Sequence, residues 1–175
     1  MSTWIFGYGS LIWKPNLPHI EARWALLKGW ERRFWQGSPD HRGTPEFPGR
    51  VLTLHPNPTV SCWGMAYCLD PQHEQATLAQ LDHREKAGYD MREVLVHTTQ
   101  GDLTAWMYIG LPENPHFLGS ASIKEMAQHI ATATGPSGSN RDYVLNLAEA
   151  LGERLNPKDD AELHALDAAL THPLS

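Results

Sequence analysis

Cysteine is scarce in this chain, which has two among 175 residues, Cys62 and Cys68. Two thiols cannot form a disulfide framework, and six positions apart on one strand they would lie too far apart to bond each other. Apolar runs are also short, and none approaches the roughly 18 residues that a membrane-spanning helix needs. The first residues lack a basic leader, and Gly7 and Gly9 interrupt their apolar patch at once. We therefore expect a protein of the reducing cytoplasm, with neither a cleaved signal nor a membrane contact.

Positive charge is in deficit, since the formal net charge is -6. A nucleic-acid binder needs a basic face that neutralises phosphates, so this class is excluded. Arginine and lysine are nevertheless enriched between Arg23 and Arg50. This enrichment is open to two interpretations, a solvated strand face or a local site for a small anion.

Familiar catalytic signatures are missing. The sequence has no Gly-x-Ser-x-Gly elbow, no phosphate-binding Walker loop, no complete dinucleotide fingerprint and no His-Glu-x-x-His. Its ten histidines form no pair four residues apart on a predicted helix, and the cysteines form no Cys-x-x-Cys. We predict no catalytic metal.

The hydrophobic rhythm changes along the chain from strands to helices. Alternation and aromatic content predict strands over 3–8, 23–36 in two pieces broken at Gly29, 62–69, 92–97 and 103–110. Capping signals predict helices from Asp70-Pro71 to about Lys86, from Ser122, from Ser139 and from near Asp159. On 62–69 small residues alternate with large ones, which suits a small, strongly curved sheet. The class is α+β in one domain over residues 1–175.

One long segment has no rhythm. Gly37 to Gly49 is polar and rich in proline and glycine, which is typical of a binding lid or of a mobile excursion, and both interpretations stay open.

Two segments could carry chemistry. Phe6-Gly-Tyr-Gly-Ser-Leu11 follows a buried strand, and its glycines allow successive amides to face one side as an anion-binding nest, or simply allow a tight turn. Glu85 lies in the last turn of a predicted helix, where the helix dipole disfavours negative charge and raises a carboxyl pKa. On its own it could equally be an exposed residue of a charged helix end.

Several short sequence motifs occur together in one known family. Trp4 to Pro15, RRFWQG at 32–37, Trp63 to Tyr67, Arg84 to Tyr89 and Gly135 to Asn140 with Tyr143 resemble the ChaC-like, glutathione-specific gamma-glutamylcyclotransferases. The matches follow the same order across nearly the whole chain.

The resemblance implies a small β-barrel with packed helices, the gamma-glutamylcyclotransferase-like fold. It also implies cleavage of the small molecule glutathione to 5-oxoproline and cysteinylglycine without a cofactor. Glu85 matches the family's proton acceptor. The resemblance assigns substrate binding to the turn residues Ile5, Phe6, Gly7, Tyr8, Gly9, Ser10 and Leu11. Tyr143, at the start of its predicted helix, is a further candidate for a hydrogen bond to substrate. Ala87 stands where relatives often carry glycine.

Alternatives remain beside this reading. The same chemistry could act on other gamma-glutamyl amines or amino acids, or the chain could be a non-catalytic binding relative that keeps the architecture. Arg42 and Arg50 are candidates for holding the dipeptide's carboxylate, and Tyr143 could instead serve packing alone.

Overall fold

The computed structural model describes residues 2–86 and 88–172, and at positions 84–86 it describes the backbone without the side chains. Five strands form a closed barrel in the order β1-β3-β2-β4-β5. Their bounds are β1 Trp4–Gly7, β2 His19–Ser38, β3 Gly49–Leu69, β4 Tyr89–Thr98 and β5 Gly101–Gly110. The described residues also form four α-helices and a hairpin of two short strands: α1 Glu74–Lys86, α2 Ile123–Thr132, β6 Thr134–Gly135, β7 Gly138–Ser139, α3 Asn140–Leu151 and α4 Ala161–Thr171.

Barrel closure depends on β1, which pairs antiparallel with β3 and parallel with β5. On β3 the small side chains face the barrel interior, as the alternation predicts, and Cys62 and Ala66 are fully buried. Gly64 lies beneath the β1 backbone, where a Cβ would overlap Gly7 O and stand 2.6 Å from the Phe6 ring. Small residues here let β1 approach closely enough to close the barrel.

Strands β2 and β3 are longer than predicted. β2 is one strand of 20 residues rather than two pieces, because Gly29 (φ 86°) accommodates a bulge between Lys28 and Trp30 without ending the strand. β3 begins at Gly49, well before the predicted position 62. Pro56 and Pro58 lie in this extension, and they hid the strand because proline normally argues against one.

Helix starts agree closely with the capping signals. Ser122 accepts a hydrogen bond from Glu125 N, and Ser139 accepts one from Asp142 N, both at 3.1 Å. The helix predicted from Pro71 begins at Glu74, and Gly88 (φ 98°) follows its end. The predicted α+β class is confirmed. Within the described ranges, no helix has both the length and the apolar content needed to cross a membrane.

Two apolar clusters flank the barrel wall. The larger fills the interior and the α2–α3–α4 side, and it includes Phe6 and Tyr143. The smaller lies beneath α1 and contains Ile5, Leu17, Tyr67, Leu69, Leu81 and Tyr108.

Candidate active site

The turn that follows β1 carries most of the predicted binding residues. Ile5 and Phe6 are buried in different clusters, so their side chains serve packing. A Cβ on Gly7 would lie 2.6 Å from Leu11 Cβ, which shows how tightly the chain folds back. Ser10–Ile12 forms a single 3₁₀ turn, and Ser10 is exposed at its start.

The carbonyl groups of this turn are all engaged by the protein. Arg32 Nε donates to Tyr8 O at 2.9 Å, and Tyr67 Oη donates to Leu11 O at 2.5 Å. Gly9 O accepts from Ile12 N at 2.9 Å, and Ser10 O accepts from Lys14 N at 2.8 Å.

The amides of the same turn are in the opposite situation. Gly9, Ser10 and Leu11 precede the first intrahelical bond, and none of their N–H groups has an acceptor among the described residues. A short segment with its carbonyls occupied and its amides available is suited to an anion.

Tyr143 lies against this turn. A Cβ on Gly9 would be 3.0 Å from Tyr143 Oη, so glycine is what permits the approach. Tyr143 stands in the first turn of α3, and its ring packs edge-on against Trp13 at 5.4 Å between centroids. Its Oη accepts from Leu52 N at 3.1 Å, and in the described part of the chain its O–H has no acceptor.

The electrostatic setting keeps Tyr143 protonated. Burial raises the pKa of the Tyr143 phenol above its usual range, and the hydrogen bond from Leu52 N opposes only part of that rise. Tyr89 is close enough that its own ionisation would raise the Tyr143 pKa further. The Tyr143 hydroxyl is therefore a neutral hydrogen-bond donor at physiological pH.

Glu85 is placed by its backbone alone. It lies in the last turn of α1, as predicted, and its side chain is outside the described part of the structure. Leu81, four residues earlier, packs in the cluster that contains Ile5 and Tyr108. Tyr108 O in turn accepts from Tyr8 Oη at 2.5 Å. Leu81 thus connects α1 to the turn through the cluster that contains Ile5 and Tyr108.

The segment Gly37 to Gly49, which lacks hydrophobic periodicity, is bound to the β6–β7 hairpin. Arg42 Nη1 donates to Ser139 O at 3.1 Å, and Ser137 N donates to His41 O at 2.9 Å. The Arg42 guanidinium lies 5.7 Å from the centre of the Tyr143 ring.

Arg50, the second candidate for a substrate carboxylate, is occupied elsewhere. Its Nη1 donates to Phe34 O at 2.9 Å and to Gly119 O at 2.8 Å. Burial lowers the pKa of the Arg50 guanidinium from its ordinary value.

The interpretation of the Arg23 to Arg50 enrichment as a solvated face is wrong for three of its members. Arg32, Arg42 and Arg50 are 1%, 8% and 7% exposed. Arg32 binds Asp160 on the distant C-terminal segment, a contact for which the sequence pattern contains no signal.

Two clefts of about 330 Å³ each open elsewhere on the surface. One is walled mainly by Trp30, Trp35, His55 and Phe117. The other borders Gly88 and Tyr89 just after α1. Across residues 2–86 and 88–172, no cluster of three or more metal-ligating side chains is found.

Comparison with known proteins identifies the family. Residues 3–172 match the family model described as ChaC-like protein. The chain belongs to the ChaC-like family. Among family members, it is 41% identical to the glutathione-specific gamma-glutamylcyclotransferase 1 of Danio rerio over 97% of this chain and 89% of that protein. It is 36% identical to the Schizosaccharomyces pombe glutathione-specific gamma-glutamylcyclotransferase, over 95% of this chain and 91% of that one.

Solved structures agree. The crystal structure of a yeast gamma-glutamyl cyclotransferase specific to glutathione superimposes with a TM-score of 0.87 at 32% identity, covering 97% of this ChaC-like chain and 96% of that one. A more distant gamma-glutamyl cyclotransferase shares the fold, with a TM-score of 0.59 at 18% identity over 94% and 88% of the two chains. The predicted gamma-glutamylcyclotransferase-like fold is confirmed.

Proposed function

We propose that the chain is a glutathione-specific gamma-glutamylcyclotransferase of the cytoplasm, which releases 5-oxoproline and cysteinylglycine. The observation that carries this assignment is the 41% identity, over nearly the whole chain, to a curated protein of that name. Two free, buried cysteines are consistent with a reducing compartment.

The reaction needs orientation more than added reagents. The substrate's own α-amine attacks its γ-carbonyl carbon, a five-membered lactam closes, and the C–N bond to cysteinylglycine breaks. Because nucleophile and electrophile belong to one molecule, holding them in a folded conformation supplies much of the rate enhancement.

Proton transfer is the role we assign to Glu85. One proton must leave the α-ammonium group and one must reach the departing nitrogen, and a single carboxylate can do both in turn. The ordinary pKa is about 4.3 for a glutamate and about 8 for an α-amine, so proton transfer from the α-ammonium group to Glu85 is uphill by roughly 5 kcal/mol. Placement at the carboxyl end of α1 supports the role, since the helix dipole there raises the basicity of a carboxylate.

We assign to the turn the binding of negative charge on the substrate. Glutathione carries two carboxylates, and the tetrahedral intermediate adds an oxyanion. The available amides of Gly9, Ser10 and Leu11 support anion binding by this turn, and the Tyr143 hydroxyl supports a further hydrogen bond to substrate. Of the two basic candidates, we assign the dipeptide's carboxylate to Arg42, because it lies beside Tyr143 whereas Arg50 is held by carbonyls.

The experiment measures 5-oxoproline release by the purified protein and its Glu85→Gln variant. We expect turnover of glutathione by the wild type and a loss in kcat of at least about 100-fold in the variant, because glutamine keeps the shape and cannot accept a proton. Glu74→Gln, in the first turn of the same helix, is the matched control and should keep wild-type kcat.

A parallel assay with gamma-glutamyl-alanine decides substrate range. Equal kcat/KM for both compounds would replace glutathione specificity with a general gamma-glutamyl activity. No 5-oxoproline from either compound would favour a binding protein, and near-normal kcat in Glu85→Gln would remove Glu85 from the mechanism.

A further inference from the structure

Arg32 connects the turn of the candidate active site to the C-terminal part of the chain. It lies on β2 and is 1% exposed. Its Nη1 donates to Asp160 Oδ1 at 3.0 Å and Oδ2 at 2.8 Å, and its Nη2 donates to Trp63 O. The remaining donor, Nε, reaches Tyr8 O at 2.9 Å. The whole guanidinium is thus fixed, and one side of it holds the peptide carbonyl just before Gly9.

Fixing that carbonyl also fixes an amide. Tyr8 C=O and Gly9 N–H belong to one planar trans peptide unit, in which the two bonds point in opposite directions. With the carbonyl directed at Arg32, the Gly9 N–H must point away from it. The positive charge also withdraws electron density through the peptide group, so the N–H becomes a stronger donor to an anion.

Stability alone does not account for the Arg32–Asp160 pair. Removing two charges from water is costly, and apolar residues of similar volume often replace a buried pair without loss of stability. The neighbouring pair Arg33–Glu162, at 2.9 Å, already joins β2 to α4 without contacting the turn. Arg32, unlike Arg33, also donates to two main-chain carbonyls, Trp63 O on β3 and Tyr8 O in the turn.

We propose that Arg32, held by Asp160, is a positioning residue that orients the Tyr8–Gly9 peptide so that the Gly9 amide faces the substrate's anionic group. The proposal rests on the function assigned above for its effect on activity. Its effect on the Gly9 amide is independent of that function.

The test compares Arg32→Met/Asp160→Leu, which removes both charges together, with Arg33→Met, which breaks the neighbouring link and leaves Tyr8 untouched. The first readout is kcat and KM for glutathione in folded samples of matched thermal stability. We expect kcat/KM to fall by about 100-fold in the double variant, the scale of losing one oriented donor, and to stay within twofold in Arg33→Met.

The second readout is the amide signal of Gly9 in protein labelled with ¹⁵N-glycine, which contains 14 glycines. The Gly9 signal is assigned by its disappearance in Gly9→Ala. We expect it to shift in the double variant and to stay in place in Arg33→Met, because only the former loses the hydrogen bond to the preceding carbonyl.

A double variant with kcat/KM within threefold of Arg33→Met, or with an unmoved Gly9 signal, would overturn the proposal. Should the double variant not fold, Arg32→Lys decides, since it keeps a charge opposite Asp160 and loses the Nε donor; there a fall of threefold or more supports the proposal and a smaller fall overturns it. A wild type without 5-oxoproline release would contradict the proposed function, and the Gly9 signal would still test the positioning role.

Discussion

At the scale of single residues, the site depends on how closely Gly9 approaches Tyr143. A Cβ at position 9 would stand 3.0 Å from the phenolic oxygen and 3.6 Å from Leu52 Cδ1. The first distance requires a neighbour to move, and the second is ordinary contact. The atom that a side chain at position 9 would crowd is therefore Tyr143 Oη.

This closeness predicts a specific coupling between two substitutions. Gly9→Ala should destabilise the wild type by about 1–3 kcal/mol through overpacking. Tyr143→Phe should cost a similar amount, because the buried Leu52 N–H loses its acceptor. In the double variant the clash is absent, so the combined cost should fall at least about 1 kcal/mol below the sum. Urea unfolding of the four proteins measures this, and strict additivity would show that the added methyl group meets something other than the phenol oxygen.

Contacts between residues that are close in the sequence were predictable from it. The caps at Ser122 and Ser139 were predicted because a capping side chain and the backbone N–H that donates to it lie three residues apart. The Arg32–Asp160 contact spans 128 residues and leaves no local pattern. An arginine that will be buried and one that will be solvated look the same in a strand sequence.

At the scale of elements, the β2–β3 connection was only partly predictable. Pro/Gly-rich composition correctly marked residues between the strands as irregular, and the structure shows their attachment to the β6–β7 hairpin through Arg42 and His41. Sequence could not distinguish attachment from free excursion, because the acceptors, such as Ser139 O, come from a distant hairpin.

The position of Arg42 beside Tyr143 predicts a role for Arg42 in substrate affinity. Arg42→Gln should raise KM for glutathione by at least about tenfold, because a charge-assisted hydrogen bond to a carboxylate contributes about 1.5–3 kcal/mol. kcat should change less, since that carboxylate is remote from the reacting carbonyl. Lys28→Gln removes an exposed charge from β2 and is the control for net charge. An unchanged KM in Arg42→Gln would transfer the carboxylate to another group.

At the scale of the whole molecule, the barrel buries ionisable groups that hold their protons more tightly than in the unfolded chain. Burial raises the pKa of the Cys62 thiol from 9.0 to about 12, against a lowering by Arg32. Burial also raises the pKa of Tyr67 from 10.0 to about 12. Because the barrel buries these groups, the stability of the fold should decrease at alkaline pH.

The sign of that sensitivity follows from proton linkage. The folded pKa of Cys62 exceeds the unfolded one, so its contribution to stability is complete below about pH 9 and is lost as the pH rises toward 12. Three pKa units correspond to about 4 kcal/mol in full, and about 2 kcal/mol should be lost by pH 10.5. Urea unfolding under reducing conditions at pH 7.5 and pH 10.5 measures it. Cys62→Ala should lose about 2 kcal/mol less than the wild type over this interval, whereas Cys68→Ala, which keeps Cys62, should follow the wild type. Parallel losses in Cys62→Ala and the wild type would show that the Cys62 thiol does not hold its proton more tightly in the barrel than in the unfolded chain.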